Sequence, residues 1–123
     1  MPNPVTHFEI IGKDAKQLQE YYASLFGWNV DANNPMNYGL VGVQDGKGTG
    51  GGIGGSMDGQ QSFVTVYVEV DNPQAYLDKA VSLGGKVLMP VMEIPGAATI
   101  AQFQDPSGNL VGLVQAGTMS NPH

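Results

Sequence analysis

The sequence predicts an α+β fold in which one pattern, a strand, a helix and about three short strands, is performed twice in 123 residues. Three observations predict it. The stretches VTHFEIIG (5–12) and FVTVYVEV (63–70) alternate in side-chain type as strands do. Each runs into a segment of helical period with a polar residue to cap its start and a glycine to stop it. The second set follows the first at a shift of 58 residues, which lays Thr65 on His7, Leu83 on Leu25 and Gly85 on Gly27.

In the first strand, Phe8 and Ile10 share one face, while Val5, His7, Glu9 and Ile11 share the other. The helix reads DAKQLQEYYASLF (14–26). Ala15, Leu18, Tyr22, Leu25 and Phe26 make its apolar stripe, Asp14 is the N-cap and Gly27 the stop. Trp28 is expected to pack between helix and sheet, where an aromatic ring buries a large area. Residues 28–57 read as short strands and turns ending in GGGIGG. The run DGKGTGGGIGG (45–55) lacks the Gly-Lys-Ser/Thr ending of a phosphate loop and precedes no helix, so it reads as a mobile turn entering a glycine-rich strand.

The second pass repeats these features. Val64, Val66, Val68 and Val70 share one strand face. The following helix has Asn72 as cap, Pro73 in its first turn, a stripe of Tyr76, Leu77, Ala80 and Val81, and Gly84-Gly85 as its stop. Residues 86–115 again read as short strands. They include the tight reversal Asp105-Pro106-Ser107-Gly108-Asn109 and end in NLVGLV, with Gly112 in mid-strand, where glycine packs nothing. Each half alone is too small for a sufficient core, so residues 1–123 are expected to form one domain. Its modules span about 4–58 and 61–116, with a tail at 117–123.

Composition narrows the function. Five basic residues stand against eleven acidic ones, a net charge of −6, and no basic cluster invites nucleic acid or an anionic membrane. That field suits a cationic or neutral small ligand, and serves solubility equally well. The absence of cysteine removes disulfides, thiolate zinc sites and cysteine nucleophiles. With no signal-peptide pattern at the N-terminus and no apolar run of spanning length, the expectation is a soluble, cytoplasmic protein.

VTHFEI, YYASLFGW, GGGIGG, VYVEVDNP, LGGKV and DPSGNLVGL, in this order and spacing over residues 5–115, resemble the glyoxalase/bleomycin-resistance/dioxygenase proteins of the vicinal oxygen chelate superfamily. The resemblance implies paired βαβββ modules forming a curled mixed sheet around a cleft, and a homodimer. In the family's metal enzymes, a histidine or equivalent on the first strand of each module and a carboxylate on the last hold a divalent Lewis acid. Here His7 matches the first position and Thr65 the second. The carboxylate expected after DPSGN falls on Gly112, and its partner in the first module on Gly52 or Gly54. A single histidine does not hold a catalytic metal, which needs about three protein ligands. No cofactor is therefore expected. A divalent metal held through displaced ligands such as Glu9 or Glu69 is the alternative.

By alternation His7, Glu9, Thr65, Tyr67 and Glu69 line the implied cleft together with Gly112, and these are the expected ligand-binding residues. Gly112 either opens space for a ligand to approach the backbone or relieves crowding in the sheet. His7 and Glu9 are the candidate catalytic pair, as a base and its orienting carboxylate. Tyr38, Met36 and Met57 are expected to add an adaptable apolar wall, and Met92–Gly96 a loop at one end of the cleft, turned by Pro95-Gly96. His123 is terminal. The serines, Ser120 among them, have no nucleophile-elbow context. Three functions follow as expectations: a metal-free binder of a small organic molecule, drug-sequestering in style; an enzyme, either a glyoxalase-type lyase or dioxygenase with unusual metal ligands or a metal-free acid–base catalyst; or a dimerising accessory domain.

Overall fold

The computed structural model describes residues 2–59, 61–95 and 97–118; Gly96, Ser120 and His123 lie outside the described residues, as does the tail beyond 118. The described residues form β1 (Val5–Gly12), α1 (Ala15–Phe26), β2 (Val30–Asp31), β3 (Gly39–Val41) and β4 (Gly51–Gly55). They continue with β5 (Phe63–Val70), α2 (Pro73–Ser82), β6 (Lys86–Ile94), β7 (Ala98–Gln104) and β8 (Leu110–Gln115). The fold is α+β, a βαβββ pattern made twice with mixed pairing. Two compact units divide it, one of residues 7–65 and one of residues from 66 onward with those up to 6.

In the first unit the strand order is β2-β3-β4-β1. β1 runs parallel to β4 with Glu9 opposite Gly52, and β3 runs antiparallel to β4 with Leu40 opposite Gly52. Asp14 caps α1 by accepting from the Gln17 N–H at 3.1 Å, and Gly27 ends the helix in the left-handed region, its N–H on the Ala23 carbonyl. Trp28 packs as expected: its ring lies 5.5 Å from Phe8, 5.8 Å from Tyr22 and 5.1 Å from Phe26. Leu25, placed on the buried stripe from sequence, is exposed, and the buried residue of α1 is Gln19. The turn entering β4 is a tight reversal at Asp45-Gly46, both at positive φ, closed by the Lys47 N–H on Gln44 O at 2.8 Å.

The second unit repeats the order as β5-β8-β7-β6. β5 runs parallel to β8 with Tyr67 opposite Gly112, and β7 runs antiparallel to β8 with Gln102 opposite Gly112. Asn72 caps α2 through the Ala75 N–H. Leu77 of α2 is buried with Val70, Ala101 and Leu113, packed around by Val68, Tyr76, Val91 and Phe103. The valine and leucine side chains there each contribute about 1.5–3 kcal/mol by leaving water. The face shared by Val64, Val66, Val68 and Val70 is unevenly covered, with Val64 and Val66 exposed and Val70 buried. One expectation is corrected here. Met92, Glu93 and Ile94 belong to β6, not to a loop. β6 is last in the unit's strand order and its pairing shifts register between Met89 and Met92, around Pro90, which has no N–H to give.

Candidate functional site

Two rungs of the sheet gather the sequence-predicted residues. In the second unit, Tyr67 on β5, Gly112 on β8 and Gln102 on β7 stand side by side. The Tyr67 ring crosses the middle strand, so that its hydroxyl accepts from Gln102 Nε2 at 2.9 Å. Strands lie about 4.8 Å apart, so this contact spans two strand spacings and must pass over residue 112. A Cβ there would collide with the tyrosine ring. The space at Gly112 is therefore filled by Tyr67, which is buried, so of the two roles open to this glycine the relief of crowding is the one its surroundings match.

The first unit carries the matching rung, Glu9 on β1, Gly52 on β4 and Leu40 on β3. Pairing thus makes Gly52 the counterpart of Gly112, leaving Gly54 one step off it. A tyrosine again crosses the glycine strand, this time from the β3 side. A Cβ on Gly52 would collide with Cζ, Cε2 and the hydroxyl of Tyr38, and one on Gly54 would come within 2.9 Å of its Cδ1. The Tyr38 ring therefore lies across both glycines. Its hydroxyl donates to Glu9 Oε2 at 2.9 Å and lies 2.8 Å from His7 Nε2. A phenol has one proton, so the hydrogen in the second contact comes from the histidine, and His7 carries its proton on Nε2. His7 is buried and its ring stacks at 19° to that of Tyr38, with centroids 6.1 Å apart.

The loop before β3 fixes Tyr38 from behind. Asn34 takes the Tyr38 N–H at 3.0 Å and gives its amide to the Tyr38 carbonyl at 2.7 Å. Asn37, at φ 52, turns the chain, a conformation asparagine tolerates better than most residues. Gln19 of α1 donates to Asn37 O at 2.9 Å and to Ile53 O at 2.8 Å, which ties this loop to β4 between its two covered glycines.

The predicted set is thus only partly brought together. His7 and Glu9 are joined, with Tyr38 standing between them. Tyr67 and Gly112 are joined, with Gln102 as the added member. Thr65 is buried, and Glu69 is half-buried with its N–H on Pro4 O at 2.8 Å. Met36 and Met57, expected beside Tyr38 in an apolar wall, are exposed. Sequence reasoning missed Gln102 and Gln19 and assigned Tyr38 the wrong chemistry. A tyrosine within reach of paired strand glycines was the available signal. A depression of about 330 Å³ in the second unit is lined by Gly84, Gly85, Lys86, Gln104, Asp105 and Pro106 and is walled by turn backbone, with none of these residues in it.

A metal set does not fit these residues. The two carboxylate positions are glycines already crossed by tyrosines, and Nε2 of His7 is held by Tyr38. Among the described residues no group of three or more His, Cys, Asp or Glu is placed to hold an ion.

Comparison with known proteins agrees with this architecture. The model of the Glyoxalase/Bleomycin resistance protein/Dioxygenase superfamily matches residues 5–113. Over 109 residues the chain is 33% identical to a Mycobacterium bovis protein named "Putative glyoxylase CFP32", covering 84% of this chain and 42% of that protein. It is 25% identical over 134 residues to the anthracycline biosynthesis protein DnrV of Streptomyces peucetius, covering 96% of this chain and 49% of that one. The chain thus spans less than half the length of these curated relatives. A solved superfamily member from Vibrio splendidus 12B01 shares the fold at a TM-score of 0.60 and 19% identity, covering 93% of this chain and 99% of that chain. With the family model matched over nearly all of its length, this chain belongs to the glyoxalase/bleomycin resistance protein/dioxygenase superfamily.

Proposed function

We propose that this protein binds a small organic molecule without a metal, in the manner of a sequestering or resistance protein. The observation that carries the reading is the pair of glycine rungs. Where the family's metal enzymes present a carboxylate, this chain has Gly52 and Gly112, and the tyrosines crossing them present hydroxyls tied to protein partners. At the first rung the half-buried Tyr38 offers aromatic area beside the fixed polar groups of His7 and Glu9, a make-up usual for a small-molecule site. The net charge of −6 favours a cationic or neutral ligand. The relative named for anthracycline biosynthesis makes an anthracycline a sensible first compound to try. A homodimer working in the cytoplasm, with neither nucleic acid nor membrane as partner, completes the proposal. The acidic balance speaks against nucleic acid and an anionic membrane as partners, and the homodimer is what the family resemblance implies.

A second reading, metal-free acid–base catalysis, draws on the hydroxyl shared by His7 and Glu9, since imidazole, phenol and carboxylate in one hydrogen-bonded line can move a proton. It needs a substrate that this line can reach. Metal content after incubation with Ni, Zn, Mn and Fe(II) and desalting tests the main reading. The expected result is less than about a tenth of an equivalent, against the near-full loading of a site with about three ligands. Thermal-shift screening of organic compounds should then give hits that persist in chelator. Stoichiometric metal that His7→Ala abolishes would overturn the proposal, whereas chelator-resistant turnover of a hit would move it to the second reading.

A further inference from the structure

The first unit already displays a small molecule bound to it, its own Tyr38 side chain. The floor is the backbone of Gly52 and Gly54, which carry no side chain to keep a flat ring away. At the hydroxyl end, Glu9 Oε2 accepts the phenol proton and His7 Nε2 lies within hydrogen-bond distance of the phenol oxygen. A surface that holds a phenol by its ring and by both faces of its hydroxyl chemistry is a phenol-recognition site, whichever molecule supplies the phenol. We propose that His7, Glu9, Gly52 and Gly54 form a slot for hydroxyaromatic ligands, and that Tyr38 fills it from within as a displaceable occupant.

This inference rests on the metal-free binding reading and gives that site a ligand class. Displacement is physically balanced. A ligand phenol restores the two hydrogen bonds to Glu9 and His7 and the ring contact with the glycine backbone that the departing tyrosine gives up. The loop need not unfold, because Asn34 and Gln19 hold the backbone around Tyr38 and only the side chain has to rotate. Affinity in the native protein is lowered by this internal competition. A tethered side chain acts at an effective concentration of about a millimolar or more, and the apparent dissociation constant rises by the inverse of the fraction of molecules with the slot open.

Removal of the occupant is the test. Phenol is titrated into the native protein, Tyr38→Phe and Tyr38→Ala in the presence of chelator. The amide resonances of Gly52 and Gly54 and the His7 imidazole are followed by NMR. Phenol should saturate a single site in Tyr38→Ala about tenfold or more tightly than in the native protein, with Tyr38→Phe between them because its ring stays while its two hydrogen bonds are gone. Toluene, of similar size but without the hydroxyl, should bind Tyr38→Ala at least about tenfold more weakly than phenol. Equal affinity in all three proteins, equal binding of toluene, or no response of Gly52, Gly54 and His7 in Tyr38→Ala overturns the slot. If Tyr38→Ala does not fold, the comparison of Tyr38→Phe with the native protein decides it in the same way. The metal-free reading stands or falls separately, on metal content and on whether any other organic compound binds.

Discussion

At Gly112 the missing side chain is what lets the Tyr67 ring cross β8 and reach Gln102. Adding one methyl group there forces the ring, the strand or both to move. Gly112→Ala should therefore cost about 1–3 kcal/mol, the usual penalty for overpacking a filled site. Tyr67→Ala removes the obstacle along with the ring's own packing, so the double variant Gly112→Ala/Tyr67→Ala should lose less than the sum of the two single losses. Chemical denaturation of all four proteins checks this, and strict additivity would mean that the ring and the glycine are independent. The sequence singles out Gly112 as misplaced in a strand and leaves two explanations open, room for a ligand or relief of crowding. Only the register of three neighbouring strands decides between them, because Tyr67 and Gln102 lie 35 residues apart in the chain and neither advertises a cross-strand hydrogen bond. The same holds for Tyr38, whose proton acceptor lies 29 residues away.

The two halves also agree element by element. In each, a tyrosine hydroxyl bond passes over the strand that is last in sequence, from its first-strand neighbour to the side of the third strand, and that last strand carries a glycine at the crossing. The order of strands and helices and both helix N-caps could be read in advance, since periodicity and capping are local signals. The face that α1 buries could not be read as fully. An apolar stripe predicts Leu25 inside, yet α1 buries Gln19, whose amide donates to two carbonyls, Asn37 O and Ile53 O. Tertiary hydrogen bonding overrides the hydrophobic pattern there. Gln19→Leu makes the helix more apolar and should still destabilise the protein by about 1–3 kcal/mol, because the Ile53 carbonyl loses a buried donor. A denaturation midpoint equal to or above that of the native protein would show that the amide is dispensable.

For the molecule as a whole, charge and pH set opposing trends. With eleven acidic and five basic residues, self-repulsion at neutral pH falls as carboxylates take up protons toward about pH 4. Specific carboxylate interactions run the other way. Asp105 closes the turn between β7 and β8. Its Oδ2 accepts from the Asn109 side-chain amide, and its Oδ1 from the N–H groups of Asn109 and Ser107. These bonds, led by the Asn109 side chain and then its backbone N–H, hold the Asp105 carboxyl below its ordinary value of 3.8, against a smaller opposing effect of desolvation. A carboxyl with a lowered folded pKa stabilises the fold fully above its unfolded pKa, and that stabilisation disappears as the pH falls through the folded value. The two trends cross, so Tm should rise gently from neutral pH to about pH 5 and fall below about pH 4. Added salt should raise Tm more at pH 7.5 than at about pH 4.5, where little net charge is left to screen. Asp105→Asn should lower Tm at neutral pH and converge with the native protein at about pH 2, where both side chains are neutral. A gap between the two proteins that stays constant down to that pH would assign the role of Asp105 to turn geometry alone and not to its charge.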